Sequence, residues 1–168
     1  MLTLFFAPQS SSMAPHIALH EIGAPFATRP LSLVDEDNRA PAFLAINPEG
    51  KVPTLLVDGR AITEVAGILF YLARSFAEAG LIAASGSEEE AQTIACMSFL
   101  AASAHPARRD SSDAAHGLYA IAEARLGSAG WPIGDRFSIA DIHLFRLFWR
   151  FHASAGLPRG QFPKLFAS

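Results

Sequence analysis

The stretch Asn47-Pro48-Glu49-Gly50-Lys51-Val52-Pro53-Thr54-Leu55-Leu56-Val57 limits the possible folds more than any other part of the chain. Pro48 and Gly50 suit a tight turn. Thr54–Val57 is a short apolar run of the kind that forms a buried strand. Pro53 stands at the strand's first position, where a missing N–H costs no ladder bond. Its peptide bond is either an ordinary trans bond that opens a strand or a cis bond with a structural purpose. Asp58-Gly59 is a two-residue hairpin signal. The strand therefore turns back through Arg60–Ile62 before a helix opens at Glu64.

The surrounding pattern supplies partners for that hairpin. Leu2–Phe6 reads as a strand and Ala7–Ser12 as a loop. A helix runs from Met13 through Ile17, Leu19 and Ile22 to a C-capping Gly23. Ala27–Leu33 reads as a second strand, Asp35–Arg39 as a polar loop and Ala40–Ile46 as a short helix. From Glu64 to about Glu78, apolar residues at 65, 68, 69, 72 and 76 mark one helix face. The order β-α-β-α-β-β-α is that of an α/β layered domain.

Small residues, Ala83–Ser87, then form a linker. Ser87 is an N-cap in front of Glu88-Glu89-Glu90, which complement the positive end of a helix dipole. No strand is expected beyond it. Helices are expected over 91–104, 112–126 and 138–151, the first ended by His105-Pro106, followed by a tail over 156–168. Ser138 and Asp141 have the spacing of a capping box. The reading is two domains: residues 1–80 α/β, and residues 87–168 all-α.

Composition narrows the function classes. With 51% hydrophobic and 17% charged residues in 168, the chain builds a real core. A net charge of −3 without a basic stripe argues against nucleic acid. A lone cysteine, Cys96, excludes a disulfide framework and a multi-cysteine metal site, and it fits a reducing compartment. The absence of a leader pattern or an apolar run of membrane-spanning length leads to the expectation of a soluble, cytoplasmic protein that takes no membrane partner.

Four stretches resemble the glutathione transferase superfamily, and within it the bacterial beta class. They are Ala7–Ile17, Asn47–Leu55, Thr63–Ile68 and Gly134–Asp141, in the family's order. The resemblance implies a thioredoxin-like first domain and a helical second domain. It also implies glutathione as co-substrate, with no metal. The implied reaction conjugates the glutathione thiolate to a small apolar electrophile, with Met13, Phe99 and Phe145 as wall residues. A non-catalytic binding or scaffold protein of the same fold is the alternative, and an inactive fragment a third.

Several residues take roles from this resemblance. Pro53 would be cis, so that the Val52 backbone pairs with the cysteinyl backbone of glutathione. Glu64 and Val65, at a helix start, would hold the γ-glutamyl end; Glu64 otherwise only complements the helix dipole. Val65 replaces the serine common there. Ser11 stands where cysteine stands in much of the beta class, with Ser12 beside it. A hydroxyl there would stabilise the thiolate, or would simply cap the helix. Serine forms no mixed disulfide, so cysteine-type reductase chemistry is not expected. His105 resembles the family's helix-four histidine, or is a helix-end group. The acidic run Asp35-Glu36-Asp37 lies where a lysine often meets the glycyl carboxylate, which leaves Arg39 or Lys51 for that task. The clipped helices and early stop of the second domain point to a homodimer covering bare apolar surface.

Overall fold

A computed structural model describes residues 1–107, 112–127 and 130–167. Much of the short connection expected between 104 and 112 lies outside the described residues. So does part of the loop expected over 127–136. The chain divides into two compact units, Met1–Ala79 and Gly80–Ser168.

The first unit contains β1 (Leu2–Phe6), α1 (Met13–Glu21), β2 (Phe26–Pro30), α2 (Pro41–Leu44), β3 (Thr54–Val57), β4 (Arg60–Thr63) and α3 (Val65–Ser75), the expected order. They build one mixed sheet in the order β2-β1-β3-β4. β1 runs parallel to β2 and antiparallel to β3, and β3 runs antiparallel to β4. The alternation of a strand sends Leu4 and its partner Leu55 into the core with Leu19, Ile68, Leu69 and Leu72. Phe5 points to the other face, where its ring lies 5.4 Å from that of Phe43. Asp58 and Gly59 have φ of +49° and +83°, the geometry of a two-residue turn that follows the twist of its strands.

Element ends shift from the sequence reading for local reasons. β2 occupies 26–30 rather than 27–33, because after Leu31 N–H donates to Phe6 O at 2.8 Å the chain folds around Ser32. There Ser32 N and Oγ donate to Asp37 and Asp35. α2 is four residues long, with Pro41 at its start. α3 ends at Ser75 rather than near Glu78, since Phe76 leaves helical geometry at φ −127°.

The second unit is helical: α4 (Glu88–Phe99), a π-helical segment (Leu100–Ala104), α5 (His105–Ala107), α6 (Ser112–Arg125) and α7 (Ile139–Phe151). Ser87 caps α4 by accepting from Glu90 N–H at 3.1 Å. The expected helix end at His105-Pro106 is corrected. The path widens into a π turn, with His105 N–H donating to Leu100 O, and continues through Pro106. A wide turn accommodates a residue that has no N–H to give and whose ring crowds the preceding turn. The core gathers Leu100, Tyr119, Leu126, Leu144, Leu147 and Phe148 with Leu157, Phe162 and Leu165 of the tail. The tail is tied at both levels. Lys164 Nζ donates to Leu126 O at 2.6 Å, and Glu123 accepts from the Lys164 and Leu165 N–H groups, both at 2.9 Å. Ile94, Ile121, Phe145 and Trp149 remain substantially exposed.

The capping box is complete: Ser138 Oγ accepts from Ala140 N–H, and Asp141 accepts from Ser138 N and Oγ, both at 2.8 Å. Burial pushes the Asp141 carboxyl up from 3.8 to about 6, against the downward pull of its Ser138 hydrogen bonds. A raised folded-state pKa means that the folded chain holds the extra proton between about pH 4 and 6. The stability from the neutral carboxyl is therefore full below about pH 4 and is lost as pH rises through 6, a change of roughly 2–3 kcal/mol. Urea titrations followed by tryptophan fluorescence should show this slope in the native chain and not in Asp141→Asn. Trp131 and Trp149, the only tryptophans, both lie in the second unit.

Candidate active site

The sheet register gathers the candidate residues at one end of the first unit. Thr54 is paired with Phe5 on one side and with Thr63 on the other. The loop after β1, the Lys51-Val52-Pro53 segment before β3 and Glu64 after β4 therefore emerge together. The Val52–Pro53 peptide bond is cis.

A buried amide holds the central segment. Asn47, 1% exposed, donates through Nδ2 to Lys51 O at 2.9 Å and to Thr54 Oγ1 at 3.0 Å, and its Oδ1 accepts from Glu49 N–H. Thr54 Oγ1 also donates to Lys51 O. Asn38 Nδ2 donates to Gly50 O at 2.7 Å, which ties the loop after β2 to the same turn. Gly50 has φ +61°, and a Cβ there would meet Arg39 Nη1 at 2.8 Å and Asn38 O at 2.9 Å, so only glycine fits. Sequence reasoning missed Asn47 as a functional residue. Asn-Pro signals the turn, but the two amide bonds across it depend on the strand that follows. Asn47→Ala is expected to cost about 2–3 kcal/mol, the penalty for stranding buried polar groups. Urea denaturation monitored by far-UV circular dichroism would measure it.

Glu64 takes φ +62° and ψ 133° immediately before α3, a conformation that a residue with a side chain rarely holds. Its carbonyl accepts from Ile68 N–H at 3.0 Å. The first N–H groups of α3 have no partner within the helix and are aimed at this end of the sheet. Strain of this kind costs on the order of 1–3 kcal/mol and persists where the surroundings enforce it. Lys51 bonds to Glu49 at 2.9 Å. Its pKa is raised first by that hydrogen bond, then by the charge of Glu49, and also by that of Glu64. Arg39 Nη1 lies 3.5 Å from Glu49 O.

The two serines differ. Ser12 occupies the N-cap of α1 but makes no side-chain cap bond, and it is 1% exposed. Its hydroxyl lies 2.9 Å from Ser10 Oγ, which also accepts from Ser12 N–H and donates to Ala7 O at 2.7 Å. Ser10 thus organises the turn, a role that the serine run hid. Ser11 is partly exposed, and its carbonyl accepts from Ala14 N–H. Val65 is buried at the head of α3.

His105 belongs to the second unit, where its half-buried ring lies 6.4 Å from that of Phe151. Among the expected wall residues, Met13 is partly buried, Phe99 carries the Arg125 guanidinium 4.3 Å from its ring centre, and Phe145 is exposed. No group of three or more metal-ligating side chains occurs among the described residues, and no helix among them is long and apolar enough to cross a membrane.

Comparison with known proteins places these features. Residues 1–74 match the model of the glutathione S-transferase N-terminal domain, and residues 86–167 that of the C-terminal domain. The chain is 31% identical to glutathione S-transferase GstA of Escherichia coli O157:H7, over 93% of this chain and 86% of that protein. A sphingomonad glutathione S-transferase solved in complex with glutathione superposes with a TM-score of 0.88 at 31% identity, covering 98% of this chain and 89% of the other. The beta-class enzyme of Sphingomonas chungbukensis does so with 0.87 at 32%, over the same shares. Two domain matches that together span most of the chain, on a fold shared with these enzymes, make it a member of the glutathione S-transferase family.

Proposed function

We propose that this chain binds glutathione at the end of its first sheet and transfers the thiolate to a small apolar electrophile. The observation that carries the proposal is the register at Thr54, because it brings the Ser11 loop, the Val52 backbone and the head of α3 to one place. The Val52 backbone pairs with the cysteinyl residue of glutathione as a short added strand. The free N–H groups of α3, with Glu64 and Val65, take the γ-glutamyl end. Arg39 and Lys51, both beside Glu49 on the same turn, are the cations left to meet the glycyl carboxylate. The Ser11 hydroxyl and the N-terminus of α1 stabilise the sulfur anion. Ser12, being buried, supports the turn. The sulfur lone pair attacks the electrophilic carbon, the leaving group departs with its electron pair, and the thiol proton has already passed to solvent. The solved relative carrying glutathione supports the binding half of this reading.

A homodimer that covers exposed side chains such as Phe70 is part of the same proposal. His105 is held as a secondary catalytic candidate.

The test is retention on immobilised glutathione, followed by conjugation with a dinitrophenyl halide. Retention with turnover is expected. Retention without turnover would make the chain a binding protein of this fold, and no retention would remove glutathione from the reading. Light scattering should give twice the chain mass.

A further inference from the structure

We propose that His16 and His20 form a two-imidazole site for a borderline divalent cation such as Cu²⁺, Ni²⁺ or Zn²⁺, on the flank of α1. The two residues are four apart on one helix, so their side chains lie one above the other on the same face. Their ring centroids are 5.1 Å apart and the planes are inclined by 27°. Two imidazoles bound side by side to one ion at about 2.0–2.1 Å, with an angle between square and tetrahedral, have centroids about 4.5–5.2 Å apart. The centroid separation already present falls within that range.

The surroundings set this spacing. The Phe26 ring meets His16 and His20 edge-on at 5.7 and 5.2 Å, and Phe6 lies 5.6 Å from His16. These contacts confine both imidazoles to one side of the helix before any ion arrives, which lowers the ordering cost of binding. Partial burial and the neighbouring His20 also lower the His16 pKa, which favours the neutral, ligating form. His20 is exposed, so the site is open to solvent. Since no third ligating side chain joins them among the described residues, water completes the coordination and the ion exchanges freely. Affinity should follow Cu²⁺ above Ni²⁺ and Zn²⁺. Imidazoles are the expected ligands, and nothing in the glutathione reading requires or uses them.

The test uses the full chain without a polyhistidine tag. Calorimetric titration with NiCl₂ should show one saturable site, and melting temperature should rise with Ni²⁺. His20→Gln should weaken binding by more than the about tenfold that loss of an outer-sphere partner typically costs. His152→Gln, a histidine in the other unit, should bind as the native chain does. Independently of any variant, the electron paramagnetic resonance spectrum of the Cu²⁺-loaded native chain should show two equatorial nitrogens. The proposal is overturned by a native chain without saturable binding, by a His20→Gln chain that binds Ni²⁺ as tightly as native, or by a spectrum with one nitrogen or none. Any of these results would leave the pair as packing for Phe26.

Discussion

Ser11→Ala is expected to lower kcat/KM for thiol conjugation by roughly ten- to a hundredfold and to raise the apparent pKa of bound glutathione. A hydroxyl that donates to an anion contributes about 1.5–3 kcal/mol. At 1.4 kcal/mol per factor of ten, that range corresponds to the stated loss. The loss is not total, because the positive end of the α1 dipole still favours the anion. The pKa of the thiol must move with the rate if the hydroxyl acts on the thiolate rather than on the protein. The pH–rate profile is therefore the deciding measurement: its acid limb should shift to higher pH in Ser11→Ala. Ser12→Ala supplies the contrast. Its hydroxyl is buried against Ser10, so its removal should appear in the denaturation midpoint and leave the acid limb in place. A Ser11→Ala enzyme with native rate and profile would assign Ser11 to the turn alone.

The candidate site was legible where its residues are contiguous in sequence. Pro48, Gly50 and Pro53 mark a turn and a strand start from residue type alone, whereas the roles of Lys51, Val52 and Arg39 come only through the resemblance to the family. The hairpin at Asp58-Gly59 and the capping box at Ser138 and Asp141 were legible for the same reason, since each is a bond between near neighbours. What stayed hidden depends on distant partners. Nothing local to Glu64 calls for a positive φ; it is imposed by a strand that must end beside Thr54 and a helix that must begin at once. The Asn47 amide reaches across to Thr54 only after β3 has formed. Pro106 suggested a helix end because a proline usually breaks the ladder, and the π turn before it absorbs that break instead. The acidic run at 35–37 looked like a free charged loop, whereas Asp35 and Asp37 are folded back onto Ser32.

Phe162→Ala is expected to destabilise the second unit by about 3–5 kcal/mol, the usual cost of removing a buried aromatic ring. Phe162 is 3% exposed and lies in the core with Leu157 and Leu165, with its ring 6.1 Å from that of His116 on α6. The segment inserts Phe162 and Leu165 into the helical core and is anchored through Glu123 and Lys164. The anchors are weaker than the insertion. Lys164→Ala removes one part-buried charge-assisted bond, worth at most about 1.5–3 kcal/mol, while the ring leaves a cavity that a close-packed core cannot fill. Because domains are stable by only about 5–15 kcal/mol, the ring accounts for a large share of the unit's margin. Urea unfolding followed by tryptophan fluorescence reads the second unit, which holds Trp131 and Trp149. The midpoint should fall in Phe162→Ala with the slope unchanged, and fall less in Lys164→Ala. Equal, small shifts in both would mean that the tail only rests on the helices. A large shift for Phe162 alone would make the segment from Leu157 to Leu165 part of the core.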